Sequence, residues 1–174
     1  MVLQESPNEP TEMVRDGRDD FDFLIGAWRV ENRRKTEPLD AAATTWVEFS
    51  SSSRTRRILG GLGNVETYRA AAFPGRGSYE GMALRLFDPD TSLWHIWWAS
   101  TALPGFLDVP VVGRFIDGRG RFECDDVVAG RQLKVRYDWR KLTAESARWE
   151  QAFSFDEGGS WSSNWTMQLT REAV

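Results

Sequence analysis

Cysteine and histidine are almost missing from this chain of 174 residues, which contains one of each. The single cysteine, Cys124, excludes an internal disulfide and a cysteine-based zinc site. The single histidine, His95, excludes a metal site built from several histidines. We therefore predict no metal site. One cysteine is also consistent with a reducing compartment, and we expect a cytoplasmic protein.

Long apolar runs and an excess of one charge are also missing. No stretch approaches the ~20 apolar residues that a membrane helix needs. The N-terminus lacks the basic start and apolar run of a secretory signal. Residues 1–20 carry six acidic and two basic side chains, and the remaining residues carry twenty of each. We therefore predict neither a nucleic acid nor a membrane as partner.

Aromatic residues are abundant, with nine Trp and ten Phe. A protein of this length buries a sizeable core in one domain, and so many rings belong in a core or around a cavity. Residues 1–18 contain prolines, charges and little to bury, which predicts a disordered acidic tail. Residues 19–174 are predicted to form a single β-barrel domain, starting with a helical turn over 19–24 that Asp19 or Asp20 caps.

Apolar and polar residues then alternate with a period of two, which is typical of strands. Short connections rich in Gly, Pro and Asp separate the runs and leave no room for a crossover helix, so neighbouring strands should be antiparallel. We predict an all-β, up-and-down antiparallel barrel, because closure removes exposed edges, with a two-sheet sandwich as the alternative. The ten predicted strands are 27–36, 44–58, 64–73, 78–88, 92–100, 106–116, 120–129, 131–141, 145–156 and 161–171.

The alternation assigns one face of each later run to the interior. Inward rows are Leu133, Val135, Tyr137 and Trp139, then Trp149, Gln151, Phe153 and Phe155, then Trp165, Met167 and Leu169. The opposite rows include Ala152, Ser154 and Asn164. The run 92–100 is apolar on both faces, with His95 and Trp97 outward, which predicts a covered outer face or a homodimer through this strand.

The segment Ser154–Trp161 has the spacing Ser-x-Asp-x-Gly-x-x-Trp and resembles the Asp-box turn of sialidase-type propellers. In that turn the Asp bonds backbone N–H groups, Gly takes a positive φ and Trp packs over the turn. The motif occurs once here, so we assign Asp156 and Trp161 a structural role in a hairpin.

No cofactor is predicted. A haem bound through His95 is the alternative, since one histidine suffices as an axial ligand. Catalysis by a Ser/His/Asp triad would have to use His95, and the chain has no Gly-x-Ser-x-Gly elbow.

Several motifs together resemble a bacterial family of small lipocalin-like (calycin-type) domains of unknown function: Phe21–Val30 with Gly26-Ala27-Trp28, Ile58–Asn64, Val112–Phe115, Trp149–Ser154 and Asn164-Trp165. The resemblance implies a calycin-type barrel and no particular activity. In lipocalins an Arg of the last strand packs over the ring of the Gly-x-Trp motif. By that resemblance Gly26, Trp28 and Arg171 have structural roles, with Arg148 as the second candidate.

Three functions follow as hypotheses. In the first, an aromatic cavity binds a small apolar or amphipathic ligand through Trp46, Glu66, Tyr68, Arg85, Trp98, Arg136, Trp149, Gln151 and Trp165. In the second, a calycin-fold isomerase, cyclase or hydrolase uses a buried carboxylate as acid or base: Glu48, Glu66 or Glu123. In the third, a filled barrel acts as a structural or interaction module through strand 92–100.

Overall fold

The computed structural model describes residues 16–173, and most of the predicted tail, residues 1–15, lies outside that range. A 3-10 helix at Asp22–Leu24 precedes ten strands, and a second one, Leu59–Gly61, joins the second strand to the third. The strands are β1 Gly26–Lys35, β2 Trp46–Ile58, β3 Gly63–Phe73, β4 Gly77–Asp88, β5 Leu93–Ser100, β6 Val111–Ile116, β7 Arg119–Val128, β8 Arg131–Lys141, β9 Ser146–Ser154 and β10 Ser162–Arg171.

All ten strands pair antiparallel with their neighbours in sequence, and β1 pairs with β10, so the sheet closes into a barrel. The predicted all-β, up-and-down barrel is confirmed, and the sandwich alternative is wrong. The sixth predicted strand is too long at its start, because residues 101–110 form a loop before β6.

Two tight turns show why the chain reverses where it does. Asp117 and Gly118 join β6 to β7 with φ values of 50° and 74°, and Ala129 and Gly130 join β7 to β8 with 50° and 78°. Two consecutive positive φ angles match the right-handed twist of paired strands, and glycine adopts them at little cost.

One end of the barrel is closed by the segment before β1. Phe21 is fully buried there, with its ring 5.1 Å from that of Trp94 and 5.0 Å from that of Phe115, both edge to face. The predicted cap by Asp19 or Asp20 is wrong, because Phe21 precedes the 3-10 helix and no side chain caps it. The short helix is held instead by backbone bonds such as that from Asp22 N–H to the Asp19 carbonyl, 3.0 Å.

The other end of the barrel is open. The strands run alternately up and down, so the connections after β1, β3, β5, β7 and β9 all lie at this end. The loop between β5 and β6, residues 101–110, exposes four large apolar side chains: Leu103, Phe106, Leu107 and Val109. Ligands of an up-and-down barrel enter at such an end.

Strand alternation fails at one place near the open end. The register of β10 against β9 shifts between Ser163 and Trp165, and this bulge turns Asn164 into the protein, where it is fully buried. Ala152 and Ser154, on the facing strand, are buried as well. The outward assignment of Asn164 is therefore wrong, because a bulge resets which face a residue occupies. Ala152 and Ser154 keep the outward face, since they alternate with Gln151 and Phe153, which point into the barrel. Ser154 is buried there by the turn after β9, where its Oγ accepts from Gly158 N–H at 2.8 Å.

Among residues 16–173, no helix is both long enough and apolar enough to cross a bilayer.

Candidate functional site

The barrel encloses a cavity of about 210 Å³ between its closed and open ends. Its walls are mostly aromatic and aliphatic, with a few charged or polar groups among them. The wall side chains of most consequence are Arg34, Glu66, Tyr68, Arg85, Trp98, Asp108, Cys124, Asp126, Tyr137, Trp139, Trp149, Gln151 and Trp165. A largely apolar concavity with few polar groups is the usual form of a small-molecule site.

Asn32 of β1 fixes two rings of the cavity wall. Its Oδ1 accepts hydrogen bonds from the Tyr68 hydroxyl at 2.9 Å and from Trp165 Nε1 at 3.1 Å. Its Nδ2 donates to Ser51 Oγ at 2.8 Å, and Asn32 itself is buried. Because the polar atoms of both rings are satisfied behind the wall, the rings present apolar surface to the cavity in fixed orientations.

A buried ion pair lies in the wall formed by β3 and β4. Arg85 Nη2 contacts Glu66 Oε2, and both side chains are nearly inaccessible to solvent. Arg85 Nη1 donates to Asn64 Oδ1 at 2.9 Å, and Ser53 Oγ donates to Glu66 Oε1 at 2.7 Å. The pair neutralises itself, so it braces the strands and adds no net charge to the cavity.

Gln151 reaches the cavity from β9 and is tied to the β10 bulge. Its Nε2 donates to Asn164 Oδ1 at 2.7 Å. The bulge therefore supplies the partner that a polar side chain needs on an otherwise apolar face.

Arg34 lies at the mouth of the cavity, near the end of β1. Its guanidinium carbon is 5.4 Å from the ring centre of Phe73 and 5.5 Å from that of Trp165. Burial lowers the pKa of Arg34, with the nearby charge of Arg76 acting in the same direction. Within residues 16–173 no carboxylate forms an ion pair with it, so the two rings supply its main compensation.

Two carboxylates also line the cavity, Asp108 in the β5–β6 loop and Asp126 on β7. Asp108 is exposed as a whole residue, but partial desolvation of its carboxyl and the charge of Asp126 raise its pKa. Beside them, burial raises the pKa of the Cys124 thiol to about 12 and raises that of Tyr137 as well. Cys124 and Tyr137 are therefore neutral at neutral pH, and the carboxyl groups of this wall belong to Asp108 and Asp126.

Seven of the nine predicted ligand contacts line the cavity: Glu66, Tyr68, Arg85, Trp98, Trp149, Gln151 and Trp165. Trp46 and Arg136 do not, and for these two the prediction is corrected. Trp46 stacks against Arg33 at 4.9 Å, on the outer face of β1 and β2. Arg136 lies over the Trp161 ring at 4.3 Å and pairs with Asp138 at 2.9 Å, because its position on β8 alternates outward.

The carboxylates predicted for an enzyme are not free in the cavity. Glu48 is 80% exposed in its side chain, outside the barrel, and Glu123 is exposed on the outer face of β7. Glu66 is held by Arg85 and Ser53. His95, the predicted haem alternative, stacks on Trp97 at 5.8 Å on the outer face of β5 and does not line the cavity.

The residues predicted to be structural form two local clusters. Arg171 covers the Trp28 ring at 4.3 Å and donates to the carbonyls of Ile25 and Phe23, each at 2.8 Å, whereas Arg148 is exposed on β9. Gly26 has a φ of +119°, and a Cβ there would lie 2.9 Å from Arg171 Nη1, so glycine leaves room for the guanidinium.

In the turn after β9, Asp156 accepts from Ser160 N–H at 2.8 Å and from Ser160 Oγ at 2.7 Å. Gly158 takes a φ of +96° and donates to Ser154 Oγ at 2.8 Å. A Cβ on Gly158 would be 3.9 Å from the Trp161 ring, so the Trp packs next to the turn.

Sequence reasoning missed Asn32, Arg34, Asp108 and Asp126. The alternation did carry a signal for three of them, since Asn32 and Arg34 share the parity of Trp28 on β1 and Asp126 shares that of Phe122 on β7. Asp108 lies in a loop, where alternation predicts nothing.

Comparison with known proteins gives similarity in fold alone. No family model and no curated protein matches the chain. The structure is similar to the crystal structure of Rv2717c from M. tuberculosis, with 12% identity, 90% of this chain and 98% of that chain covered and a TM-score of 0.58, which shows the shared barrel fold.

Weaker similarities are to a redesigned beta barrel, with 11% identity and a TM-score of 0.47 over 90% of this chain and 96% of that one. The S-type phycobiliprotein lyase CPES from Guillardia theta has 10% identity and a TM-score of 0.38, with 95% of this chain and 99% of that chain covered.

Proposed function

We propose that the protein binds a small amphipathic molecule in the barrel cavity. The observation that carries the proposal is a preformed aromatic wall. Tyr68 and Trp165 are held by Asn32, and their polar atoms are already bonded, so ligand binding does not have to order these rings. Preorganisation of this kind reduces the entropic cost of association.

The size of the cavity limits the ligand. A dry cavity of roughly 150 Å³ holds benzene, and this one measures about 210 Å³. A ligand with one ring and short substituents therefore fits. Each Å² of its apolar surface that leaves water contributes about 25 cal/mol before the costs of association.

Toluene and the indole N–H signals of the tryptophans provide the test. On titration with toluene we expect the NMR signals of Trp98 and Trp149, which line the cavity, to shift. Trp46 and Trp161 lie outside it and serve as internal controls. Shifts that are absent, or equal in all four signals, would contradict the proposal.

A substitution that fills the cavity gives a second test. Ala83 is buried and lines the cavity, so Ala83→Phe should abolish the toluene shifts. Ala99→Phe adds the same volume on the outer face of the neighbouring strand β5 and should leave them unchanged. Circular dichroism establishes that both variants are folded before they are titrated. Unchanged binding in Ala83→Phe would place the ligand elsewhere.

Two narrower expectations accompany this proposal. Membership of the lipocalin-like bacterial family is supported by the motif residues at the closed end, Gly26, Trp28 and Arg171. A cytoplasmic location is supported by the single cysteine, Cys124, which is a free thiol.

A further inference from the structure

The mouth of the cavity carries opposite charges on facing walls. In the closed strand order, β6 is opposite β1, with four strands between them on either side. Arg34 is on β1. Asp126 is on β7, next to β6, and Asp108 is in the loop that leads into β6. The positive and the negative groups therefore face each other across the cavity.

Neither wall is neutralised within residues 16–173. Arg34 contacts the rings of Phe73 and Trp165 and forms no ion pair there. The side chain of Asp126 accepts a hydrogen bond from the N–H of the adjacent Val127, at 2.7 Å. Asp108 donates its backbone N–H to the Trp98 carbonyl at 2.8 Å.

Arg34 and Asp126 are partly buried, whereas Asp108 is exposed at the rim of the cavity. Partly buried charges without partners raise the free energy of the empty site, and a ligand with complementary charges lowers it. A simple anion satisfies Arg34 but meets the two aspartates, and a simple cation meets the reverse conflict. A neutral ligand leaves both walls uncompensated. The buried Glu66–Arg85 pair does not alter this balance, because it is neutral as a unit.

We propose that the ligand is a small aromatic zwitterion, with its anionic group at Arg34 and its cationic group at Asp108 and Asp126. The ring lies between Tyr68, Trp98, Trp149 and Trp165. This assignment rests on the proposed function, since it uses the same cavity. An arginine guanidinium suits a carboxylate because it can donate two parallel hydrogen bonds.

Desolvation first, and the charge of Asp126 second, raise the pKa of Asp108, and an incoming cation opposes both by stabilising the charged carboxylate. Of the nearby basic side chains, Lys134 is held by Asp125 at 2.6 Å. The cationic group of the ligand is therefore the partner that stabilises the charged forms of Asp108 and Asp126.

Four compounds of nearly equal shape separate the contributions. 4-(Aminomethyl)benzoate carries both charges, 4-ethylbenzoate only the anion, 4-isopropylbenzylamine only the cation and 1-ethyl-4-isopropylbenzene neither. We expect calorimetry at neutral pH to give a Kd for the zwitterion roughly tenfold or more below that of either singly charged compound, as for a charged hydrogen bond. The neutral compound should shift the Trp98 and Trp149 signals without matching that affinity.

Two variants assign the charges to their walls. Arg34→Gln should remove the advantage of the carboxylate, so that the zwitterion binds no better than 4-isopropylbenzylamine. Asp126→Asn, or Asp108→Asn if that variant is unfolded, should reduce the advantage of the ammonium group in the same way. Arg33→Gln and Glu123→Gln change outward residues on β1 and β7, the same strands as Arg34 and Asp126, and should leave all four affinities unchanged.

The outcomes separate this inference from the proposed function. If the neutral compound binds in the cavity but the zwitterion binds no more tightly than the singly charged compounds, the charge assignment is wrong and the cavity function stands. If none of the four shifts the Trp98 or Trp149 signals, the cavity function itself is wrong.

Discussion

At the scale of single residues, the contact of Arg171 with Trp28 joins the last strand to the segment that closes the barrel. The guanidinium covers the ring at 4.3 Å and donates to two backbone carbonyls at 2.8 Å. Arg171→Ala should lower the free energy of unfolding by about 2–3 kcal/mol, because both carbonyls lose a charged donor. Urea unfolding followed by tryptophan fluorescence measures the change.

Arg148→Ala is the matched control, since Arg148 is exposed and the substitution removes only its ion pair with Glu150, at 3.4 Å. We expect a change within about 0.5 kcal/mol. Equal effects of the two substitutions would show that Arg171 does not stabilise the closed end.

A second prediction at this scale concerns pH and the turn after β9. Hydrogen bonds from Ser160 and Ser154 lower the pKa of Asp156 from 3.8 to about 2. The folded state thus binds fewer protons than the unfolded chain, so the stabilisation is present above pH 3.8 and is lost as the pH falls to about 2. Between these pH values the wild type should lose more stability than Asp156→Asn, as measured by urea unfolding.

Glu157→Gln changes the neighbouring exposed carboxylate of the same turn, and its pH dependence should follow that of the wild type. If Asp156→Asn behaved like Glu157→Gln, the hydrogen bonds to Asp156 would not contribute to stability.

The buried pair Arg85–Glu66 gives a third prediction. Glu66→Gln leaves an uncompensated charge at Arg85 and should cost about 3–5 kcal/mol. Arg85→Met should have a similar cost, and the double variant should cost less than the sum, because no buried charge is then left alone. A double-mutant cycle in urea measures the coupling. Simple additivity would contradict a neutral, self-compensating pair.

At the scale of elements, the alternation of side chains predicted ten strands and their antiparallel order, and it assigned most of the inner face. It failed at Asn164, because a bulge shifts the register without a strong sequence signal. Trp46 was assigned to the interior because its side chain is aromatic, although its position alternates outward, and Arg33 stacks on it there. The family resemblance predicted Arg171 as the partner of Trp28. The place of Asp108 beside the cavity could not be predicted, because it depends on the three-dimensional course of a loop.

The pairing of β5 with β6 is the shortest in the barrel. It covers three residue pairs, compared with ten between β7 and β8. The adjoining loop is held to β5 by the bond from Asp108 N–H to the Trp98 carbonyl, 2.8 Å. We expect amide hydrogens of β6 to exchange faster than those of β8, because few bonds must break for local opening.

Binding of 4-(aminomethyl)benzoate should slow exchange at the Asp108 amide and leave β8 unchanged, as measured by hydrogen-exchange NMR. Equal protection of β6 and β8 in the free protein would show that this part of the barrel does not open locally.

At the scale of the whole molecule, a homodimer through the outer face of β5 stays a prediction. His95 and Trp97 are half-buried there, and across the strand pair they face Leu86 and Leu84. If two copies pack through this face, sedimentation velocity should give a dimer for the wild type and a monomer for Trp97→Glu, because a buried charge has no partner there. Gln168→Glu, on the outer face of β10, should not change the assembly. A monomeric wild type would show that the prediction is wrong.

Closure of the barrel through β1 and β10 also has a consequence for the order of folding. Nine of the ten pairings join strands that are neighbours in sequence, whereas the contact of Arg171 with Ile25 joins residues 146 apart. Closing a loop of that length has the largest entropic cost, so we expect this seam to form after the hairpins, late on the folding path. Loss of the Arg171 contact should then accelerate unfolding and leave the refolding rate nearly unchanged.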